Sequence, residues 1–322
     1  MKKIFIIFFS LLLFFIFIKA ENISSKKRVF YINSYHSGLY WSDGIEKSIK
    51  EILFKSDLPL EFKRVEMDSK RNTDESYKIE IAQKIKNQIE DFKPDVIITS
   101  DDNAFKYVIL PYFKDSTTPI IFCGINGTIR KYEQLPINIT GMEEVQLIVE
   151  MIETLKSYLK KEEVAYLKGD SFSSINEVKF FEKRMNKKID ARFVKTVDEW
   201  KENFKDLQNS AGILLIGNGG AIKGWAKYEK ELENFVKEHI KIPIVTWDDD
   251  VMKLSVLGYT TRPEEQGEWV AKTAIRILQG EDIRNIPIVT NKKANVYINT
   301  TLAKKLNIIF PFELIDNAVL VK

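Results

Sequence analysis

Short apolar segments typical of β-strands alternate with longer amphipathic segments typical of helices along almost the whole chain after residue 27. By this criterion 95–99 is a buried strand, and 74–92 is a helix that ends before Pro94. Strands joined through helices are parallel with right-handed crossovers, so the pattern predicts an α/β fold with mainly parallel sheets. At 322 residues the chain is long enough for two such domains.

The alternation occurs as two series that meet near Gly141. The first series has predicted strands at 28–33, 60–67, 95–99 and 119–123 and predicted helices at 42–53, 74–92 and 102–112. The second has predicted strands at 163–167, 191–195, 212–216 and 243–247 and predicted helices at 143–159, 173–186, 197–208 and 222–239. Two open α/β sheets in one chain predict two Rossmann-like lobes with a cleft between them.

The last part of the chain predicts how the lobes are connected. Its predicted elements are a strand over 254–261, a helix over 264–279, strand-like segments at 286–290 and 295–298, and a short helix that Thr300 caps. We expect this tail to return to the first lobe and then to the second, so that three strands cross near 140, 262 and 290 as a hinge. The expected domains are an N-terminal lobe of 28–140 plus 262–288 and a C-terminal lobe of 141–261 plus 289–322.

The N-terminus predicts export. Lys2 and Lys3 precede an apolar segment, 4–18, and a small residue, Ala20, ends it. This is the pattern of a cleavable signal peptide over 1–20 and indicates a periplasmic protein. Ile18 is bulkier than the usual residue three positions before a cleavage site, so an uncleaved membrane anchor is the alternative.

The charge balance excludes nucleic-acid binding as the main activity. The chain has 49 basic and 46 acidic residues, and the three lysines of 1–20 account for the difference. The exported chain therefore carries no net positive charge that would attract phosphates. Cys123 is the single cysteine and lies in an apolar segment, which is typical of a small buried core residue.

Ligands of open α/β sheets bind at the carboxyl ends of the strands, so the residues directly after each predicted strand are the candidate site residues. After the first strand, the loop 34–41 contains Ser34, Tyr35, His36 and Trp41. The functional interpretation is an aromatic wall that stacks on a planar or apolar solute. The alternative is a hydrophobic staple, in which Trp41 packs on its own lobe.

Polar residues follow the other strands as well. The candidates are Ser100, Asp101, Asp102 and Asn126 in the first series and Asp170, Asn218, Trp247 and Asp248 in the second. Carboxylates and amides can hydrogen-bond a polar solute. Capping of the next helix explains Asp101 or Asp102 equally well, and a tight turn explains Asn126 before Gly127. Solvated or capping acids are the simpler interpretation of 248–250, among which Asp248 is the best site candidate.

The sequence contains no recognisable catalytic or cofactor motif. The glycines at 217–220 lack the spacing of a dinucleotide-binding motif, and the acids at 248–250 lack that of a calcium loop. There is no G-x-S-x-G or H-E-x-x-H segment. We therefore expect a binding protein that is not an enzyme and that needs no cofactor and no metal.

Three stretches carry a resemblance to a known family: 32–43, 99–104, and 267–280 together with 296–299 and Ala303. They resemble the ABC transporter substrate-binding protein family with the type I periplasmic binding protein fold, and the same module is similar to the sensor part of some bacterial receptors. The resemblance implies ligand capture in the interlobe cleft, with Ser34, Tyr35, Trp41, Asp101, Asp102 and Asn126 on one wall and Asp170, Asn218 and Asp248 on the other. The family motif has Pro where this chain has Ser37, which implies a looser loop.

Our leading hypothesis is a periplasmic binding protein, expected to be a monomer, that delivers a small polar solute, with or without an aromatic group, to an ABC permease and its ATPase. A sensor subunit that docks on a membrane receptor is the first alternative. An exported hydrolase that uses Asp101 and Asp102 as paired carboxylates is the second, and a membrane-anchored form of the binding protein is the third.

Overall fold

The computed structural model describes residues 26–322, so the predicted signal peptide lies outside the described residues. The strands are β1 Lys27–Asn33, β2 Leu60–Glu66, β3 Val96–Ser100, β4 Ile120–Asn126, β5 Ile139–Glu144, β6 Val164–Gly169, β7 Ile189–Val194, β8 Ile213–Ile216, β9 Ile244–Thr246, β10 Leu257–Thr261, β11 Val289–Thr290, β12 Ala294–Asn299 and β13 Ala318–Val321. The helices are α1 Tyr40–Lys55, α2 Glu75–Phe92, α3 from Asp101–Ala104 through the π-helical turn Phe105–Ile109 to Leu110–Phe113, α4 Ile148–Leu155, α5 Phe172–Met185, α6 Val197–Ser210, α7 Glu229–His239, α8 Pro263–Leu278, α9 Thr300–Lys305 and α10 Phe312–Asp316.

The chain divides into two compact units. The first runs to Glu143 and adds Pro263–Val289, and the second consists of Glu144–Arg262 and Thr290–Lys322. The chain therefore passes from one unit to the other three times. Within residues 26–322, no helix combines the length and the apolar character that a membrane span requires.

The first unit contains a six-stranded sheet in the order β11-β5-β4-β3-β1-β2. β1 pairs in parallel with β2 and with β3, and β3 pairs in parallel with β4. One apolar cluster, which includes Phe30 and Phe105, covers one face with α2 and α3, and a second, which includes Tyr31 and Val270, covers the other face with α1 and α8. Every residue of β3 is buried, as expected for a parallel strand with helices on both faces.

Helices α1 and α8 pack so closely that glycine is required where they meet. A Cβ atom on Gly267 would lie 2.2 Å from the carbonyl oxygen of Ile45, and a Cβ atom on Gly44 would lie 2.6 Å from Cγ of Pro263. Glycine inside a helix is unfavourable by about 1 kcal/mol relative to alanine. At these two positions glycine lowers the helix propensity but allows the two helices to approach closely.

The second unit contains a seven-stranded sheet in the order β13-β12-β10-β9-β8-β6-β7. β6 pairs in parallel with β7 and with β8, and β9 pairs in parallel with β8 and with β10. β12 runs antiparallel to β10. Large aromatic residues fill its core, among them Tyr166, Phe181, Trp200 and Phe204. The two mainly parallel sheets confirm the predicted α/β fold class.

Two of the predicted helices are wrong in extent, and one predicted helix cap is wrong. The predicted helix 143–159 is β5 followed by the shorter α4, because the segment around Gly141 packs on Phe122 of β4 and extends the first sheet. The predicted helix 222–239 begins only at Glu229, because Gly224 adopts a left-handed conformation with φ of 78°. The short helix α9 is capped by the side chain of Asn299, which accepts a hydrogen bond from Leu302, and not by Thr300.

Candidate functional site

The carboxyl edge of the first sheet, where its parallel strands end, brings the candidate residues of the first series together. The register aligns Asn33 of β1 with Ser100 of β3 and Ser100 with Cys123 of β4. β1 lies between β2 and β3, so the strand order reverses there, at the point where open α/β sheets bind ligands. Consequently the loop that follows β1, the start of α3 and Gly124 of β4 lie side by side.

Ser34 and Ser100 are fully buried at this edge. The Ser34 hydroxyl donates a hydrogen bond to the carbonyl oxygen of Ser100, 2.6 Å away, and accepts one from the backbone N–H of Ala104 at 2.7 Å. The hydroxyl groups of Ser100 and Tyr31 share a hydrogen bond of 3.0 Å. Both serines therefore fasten the ends of β1 and β3 to each other and to α3.

Asp101 is the first residue of α3 and is held in a strained conformation. Its φ is 67°, its exposed fraction is 2%, and its Oδ1 accepts a hydrogen bond from Nε1 of Trp41 at 2.8 Å. The adjacent Gly124 also has a left-handed φ, 66°, and a Cβ atom there would lie 2.9 Å from Oδ1 of Asp101. A residue other than glycine in this region costs about 1–3 kcal/mol, and such strain clusters at functional sites.

Asp102 binds four groups that surround it. Its carboxylate accepts hydrogen bonds from the backbone N–H and the side-chain amide of Asn126, at 3.3 and 3.0 Å, and from the hydroxyl of Tyr132 at 2.8 Å. Lys131 forms an ion pair with it at 2.5 Å. Burial, and then the charge of Asp102, raise the pKa of Tyr132 far above its usual range, so its hydroxyl stays protonated as a donor. The N-cap of α3 is Ser100, without a side-chain capping bond, so Asp101 and Asp102 occupy the positions after the cap.

The aromatic side chains of the loop 34–41 are only partly covered. Trp41 is half-buried and packs on the apolar cluster of its own unit, as the staple interpretation predicts, yet its indole N–H points to Asp101 at the carboxyl edge. The ammonium group of Lys70 lies 5.3 Å from the ring centre of Tyr35. Nδ1 of His36 lies 2.8 Å from the carbonyl oxygen of Ser37.

The carboxyl edge of the second sheet assembles a separate group of candidates. The register brings Lys168, Gly217 and Trp247 to one level, one residue beyond the aligned Leu167 and Ile216. Asp248 accepts hydrogen bonds from the backbone N–H and the amide of Asn218 at 2.7 and 3.2 Å. Three of the four candidates predicted in this unit, Asn218, Trp247 and Asp248, are therefore neighbours, beside the boundary between β6 and β8 where the strand order reverses.

Lys168 and Glu177 join this group, and sequence reasoning missed both. Nζ of Lys168 lies 3.0 Å from the carboxylate of Glu177, 3.7 Å from that of Asp248, and 5.3 Å from the ring centre of Trp247. The hydroxyl of Tyr166 donates to Glu177 at 2.7 Å, and burial, followed by the charge of Glu177, raises the pKa of Tyr166. Lys168 is the penultimate residue of β6, and the other residues of this strand are buried. A lysine in such a strand was the signal that could have revealed this group.

Trp247 and Asp170 differ in their surroundings. Trp247 has an exposed fraction of 8% and stacks on Tyr166 with 6.1 Å between ring centres, so most of the ring belongs to the core. Asp170 is exposed and pairs with Lys195 at 3.4 Å. Asp249 and Asp250 are exposed, and no group of three or more metal-ligating side chains occurs among residues 26–322.

Replacing Trp41 by Phe tests whether the indole N–H holds Asp101. Trp41→Phe keeps an aromatic ring on the apolar cluster and removes the donor to a nearly buried carboxylate, so we expect the free energy of unfolding to fall by about 1–3 kcal/mol. Urea denaturation measures this. Trp269→Phe is the matched control because Trp269 packs on the same cluster. An equal loss in both variants would contradict the assigned role of the hydrogen bond.

Two open, mainly parallel sheets, each with polar residues gathered where its strand order reverses, define the class of two-domain α/β binding proteins with the type I periplasmic binding protein fold. The family model for ABC transporter substrate binding protein matches residues 31–322, and the chain belongs to this family. It is therefore a solute-binding protein, which confirms the resemblance and the solute-binding part of the leading hypothesis. No curated protein matches the chain in sequence.

Several solved structures share the fold. The ligand-free, open structure of a substrate binding protein with adhesive properties from Clostridium difficile has a TM-score of 0.67 at 16% identity, over 92% of this chain and 99% of that chain. A periplasmic ribose ABC transporter protein from Conexibacter woesei has a TM-score of 0.53 at 16% identity, over 88% and 96% of the two chains. An ABC domain in complex with L-Trp from Streptococcus pneumonia has a TM-score of 0.52 at 15% identity, over 92% and 100%.

Proposed function

We propose that this protein captures a small organic solute outside the cytoplasm and delivers it to the permease and ATPase of an ABC importer, without altering it chemically. Family membership supports a solute as ligand and an ABC transporter as partner. The single observation that carries the site is Asp101, which is strained, nearly buried and hydrogen-bonded to Trp41 where the strand order reverses. Strain that the surrounding structure maintains at such a position is typical of a ligand-binding residue.

The carboxyl edge of each sheet carries proposed solute-binding residues. Tyr35, His36 and Trp41 supply aromatic surface, and Asp101 supplies a carboxylate on the first edge. On the second edge the candidates are Asp170, Asn218, Trp247 and Asp248, with Lys168 added on the basis of its contacts. The first edge combines aromatic rings with a carboxylate, which suits a solute that has both a planar apolar part and a polar part. On the second edge the Trp247 ring is mostly buried, so this edge offers mainly charged and amide groups. We propose that the bound solute stabilises the form of the protein that the importer recognises.

Aromatic amino acids are the first solutes to test. The similar Streptococcus structure contains L-Trp, and the first edge of this chain places Trp41 beside the carboxylate of Asp101. A zwitterionic solute with an indole or phenol ring meets both requirements of the proposed site. Ribose, which the name of the Conexibacter protein suggests, is the comparison solute of different chemistry.

A thermal-shift titration of the exported chain tests this function. L-Trp, L-Tyr and D-ribose are added separately at increasing concentration, and a bound solute at 100 times its Kd stabilises the fold by about 2.7 kcal/mol. We expect an upward shift of Tm with at least one aromatic amino acid and none with ribose. Native mass spectrometry before and after incubation shows whether the solute leaves unchanged. Conversion of the solute to a product would refute the proposal that the protein is not an enzyme.

A further inference from the structure

Strand β2 changes from apolar to charged side chains as it reaches the carboxyl edge of the first sheet. Phe62, Arg64 and Glu66 alternate onto the same face of β2. Phe62 packs on Tyr31 with 6.4 Å between ring centres. Arg64 and Glu66 occupy the part of the strand nearest the loop 34–41. Both are partly buried, so their charged side chains need an explanation other than contact with solvent.

Arg64 bonds to three separate parts of the first unit. Its Nε donates to Glu46 of α1 at 2.8 Å, and its Nη2 donates to Glu66 of β2 at 2.6 Å and to the hydroxyl of Ser37 at 2.7 Å. The side chains of Arg64 and Glu46 are only 24% and 13% exposed. A planar guanidinium fixes the directions of these bonds, which a flexible ammonium group cannot do.

Glu66 completes the attachment of the loop. Its Oε2 accepts hydrogen bonds from the backbone N–H of Ser37 at 3.2 Å and from the Ser37 hydroxyl at 3.5 Å. The next residue, Gly38, donates its backbone N–H to both carboxylate oxygens of Asp43 at 3.0 Å. Charged groups thus hold the middle of the loop at two consecutive residues, so the loop is not loose despite the serine at position 37.

We propose that Arg64, acting with Glu66, is a positioning residue that fixes the loop 34–41 and thereby places Tyr35 and Trp41 for the solute. This inference rests on the proposed function for its solute part only. Partly buried ion networks contribute little net stability, because desolvation offsets the attraction, but they restrict geometry. Loss of Arg64 should therefore change the loop and the affinity more than the stability of the fold.

The test compares Arg64→Met with Arg192→Met. Arg192 is the matched control because it also lies on a strand and also bonds a carboxylate, Asp190, through Nε at 2.7 Å and Nη2 at 2.9 Å. Hydrogen–deuterium exchange of the solute-free protein follows the amides of the loop 34–41. We expect exchange in the loop to become about tenfold faster or more in Arg64→Met, with Tm nearly unchanged, because the opening is local. Arg192→Met should leave the loop at the wild-type rate.

Calorimetry with L-Trp as the probe supplies the solute part of the test. We expect the Kd to rise about tenfold in Arg64→Met, equivalent to about 1.4 kcal/mol. The rise should be smaller in Arg64→Lys, which keeps the positive charge but lacks the planar guanidinium group. Unchanged loop exchange in Arg64→Met overturns the inference, and so does faster exchange with unchanged L-Trp affinity. If the wild type does not bind L-Trp, the proposed solute is wrong, and the exchange result still decides whether Arg64 positions the loop.

Discussion

Gly124→Ala is expected to reduce solute affinity at least tenfold while the protein remains folded. The added Cβ atom would lie 2.9 Å from Oδ1 of Asp101, the oxygen that accepts the indole N–H of Trp41. Either the carboxylate moves or the end of β4 moves, and both separate Asp101 from its place at the carboxyl edge. A displacement that removes one charged hydrogen bond to the solute costs about 1.5–3 kcal/mol, which is equivalent to more than tenfold in Kd.

Gly280→Ala is the matched control for this prediction. Gly280 has a φ of 105° and Gly124 a φ of 66°, so both substitutions force an alanine into a left-handed conformation, but nothing lies within 4 Å of a Cβ atom on Gly280. Each variant should lose about 1–2 kcal/mol of stability from the backbone alone. Calorimetric titration with the solute found by thermal shift should show a raised Kd for Gly124→Ala only. Equal affinities in the two variants would remove Asp101 from the proposed site.

Gly267→Ala is expected to destabilise the first unit by about 2–3 kcal/mol, although alanine is the better helix former by about 1 kcal/mol. The new methyl group would lie 2.2 Å from the carbonyl oxygen of Ile45 and 3.0 Å from Cβ of Ser48, and the nearest atom belongs to the backbone. Because α1 cannot yield by rotating a side chain, the two helices have to separate. The apolar cluster that includes Ile49 and Val270 then loses contacts.

Urea denaturation of Gly267→Ala measures this loss. Lys272→Ala lies on the same helix with a side chain that is 61% exposed, and it should leave the free energy of unfolding nearly unchanged. If Gly267→Ala is as stable as the wild type or more stable, helix propensity outweighs the close approach of α1 and α8, and the packing argument fails.

The candidate site was partly predictable because a simple rule applies to it. Ligands bind at the carboxyl ends of parallel strands, so a reader of the sequence can find Asp101 and Asp248 by finding where buried strands stop. Lys168 and Arg64 escaped this reasoning because each lies inside a strand, where a charged residue usually faces solvent. Their partners, Glu177 and Glu46, come from helices, and no spacing in the sequence relates these pairs.

The sequence alone determined the α/β class, the strand and helix alternation and the family, because periodicity and turn residues are local properties that neighbouring positions encode. Only the tertiary structure decided that β5 is a strand, that Asp101 adopts a left-handed conformation beside Gly124, and that Arg64 reaches Ser37. Each of these depends on sheet pairing or on a contact between residues distant in the chain. Such contacts form only after the elements have packed. Each depends on two segments that are distant in the sequence, so neither segment predicts the contact by itself.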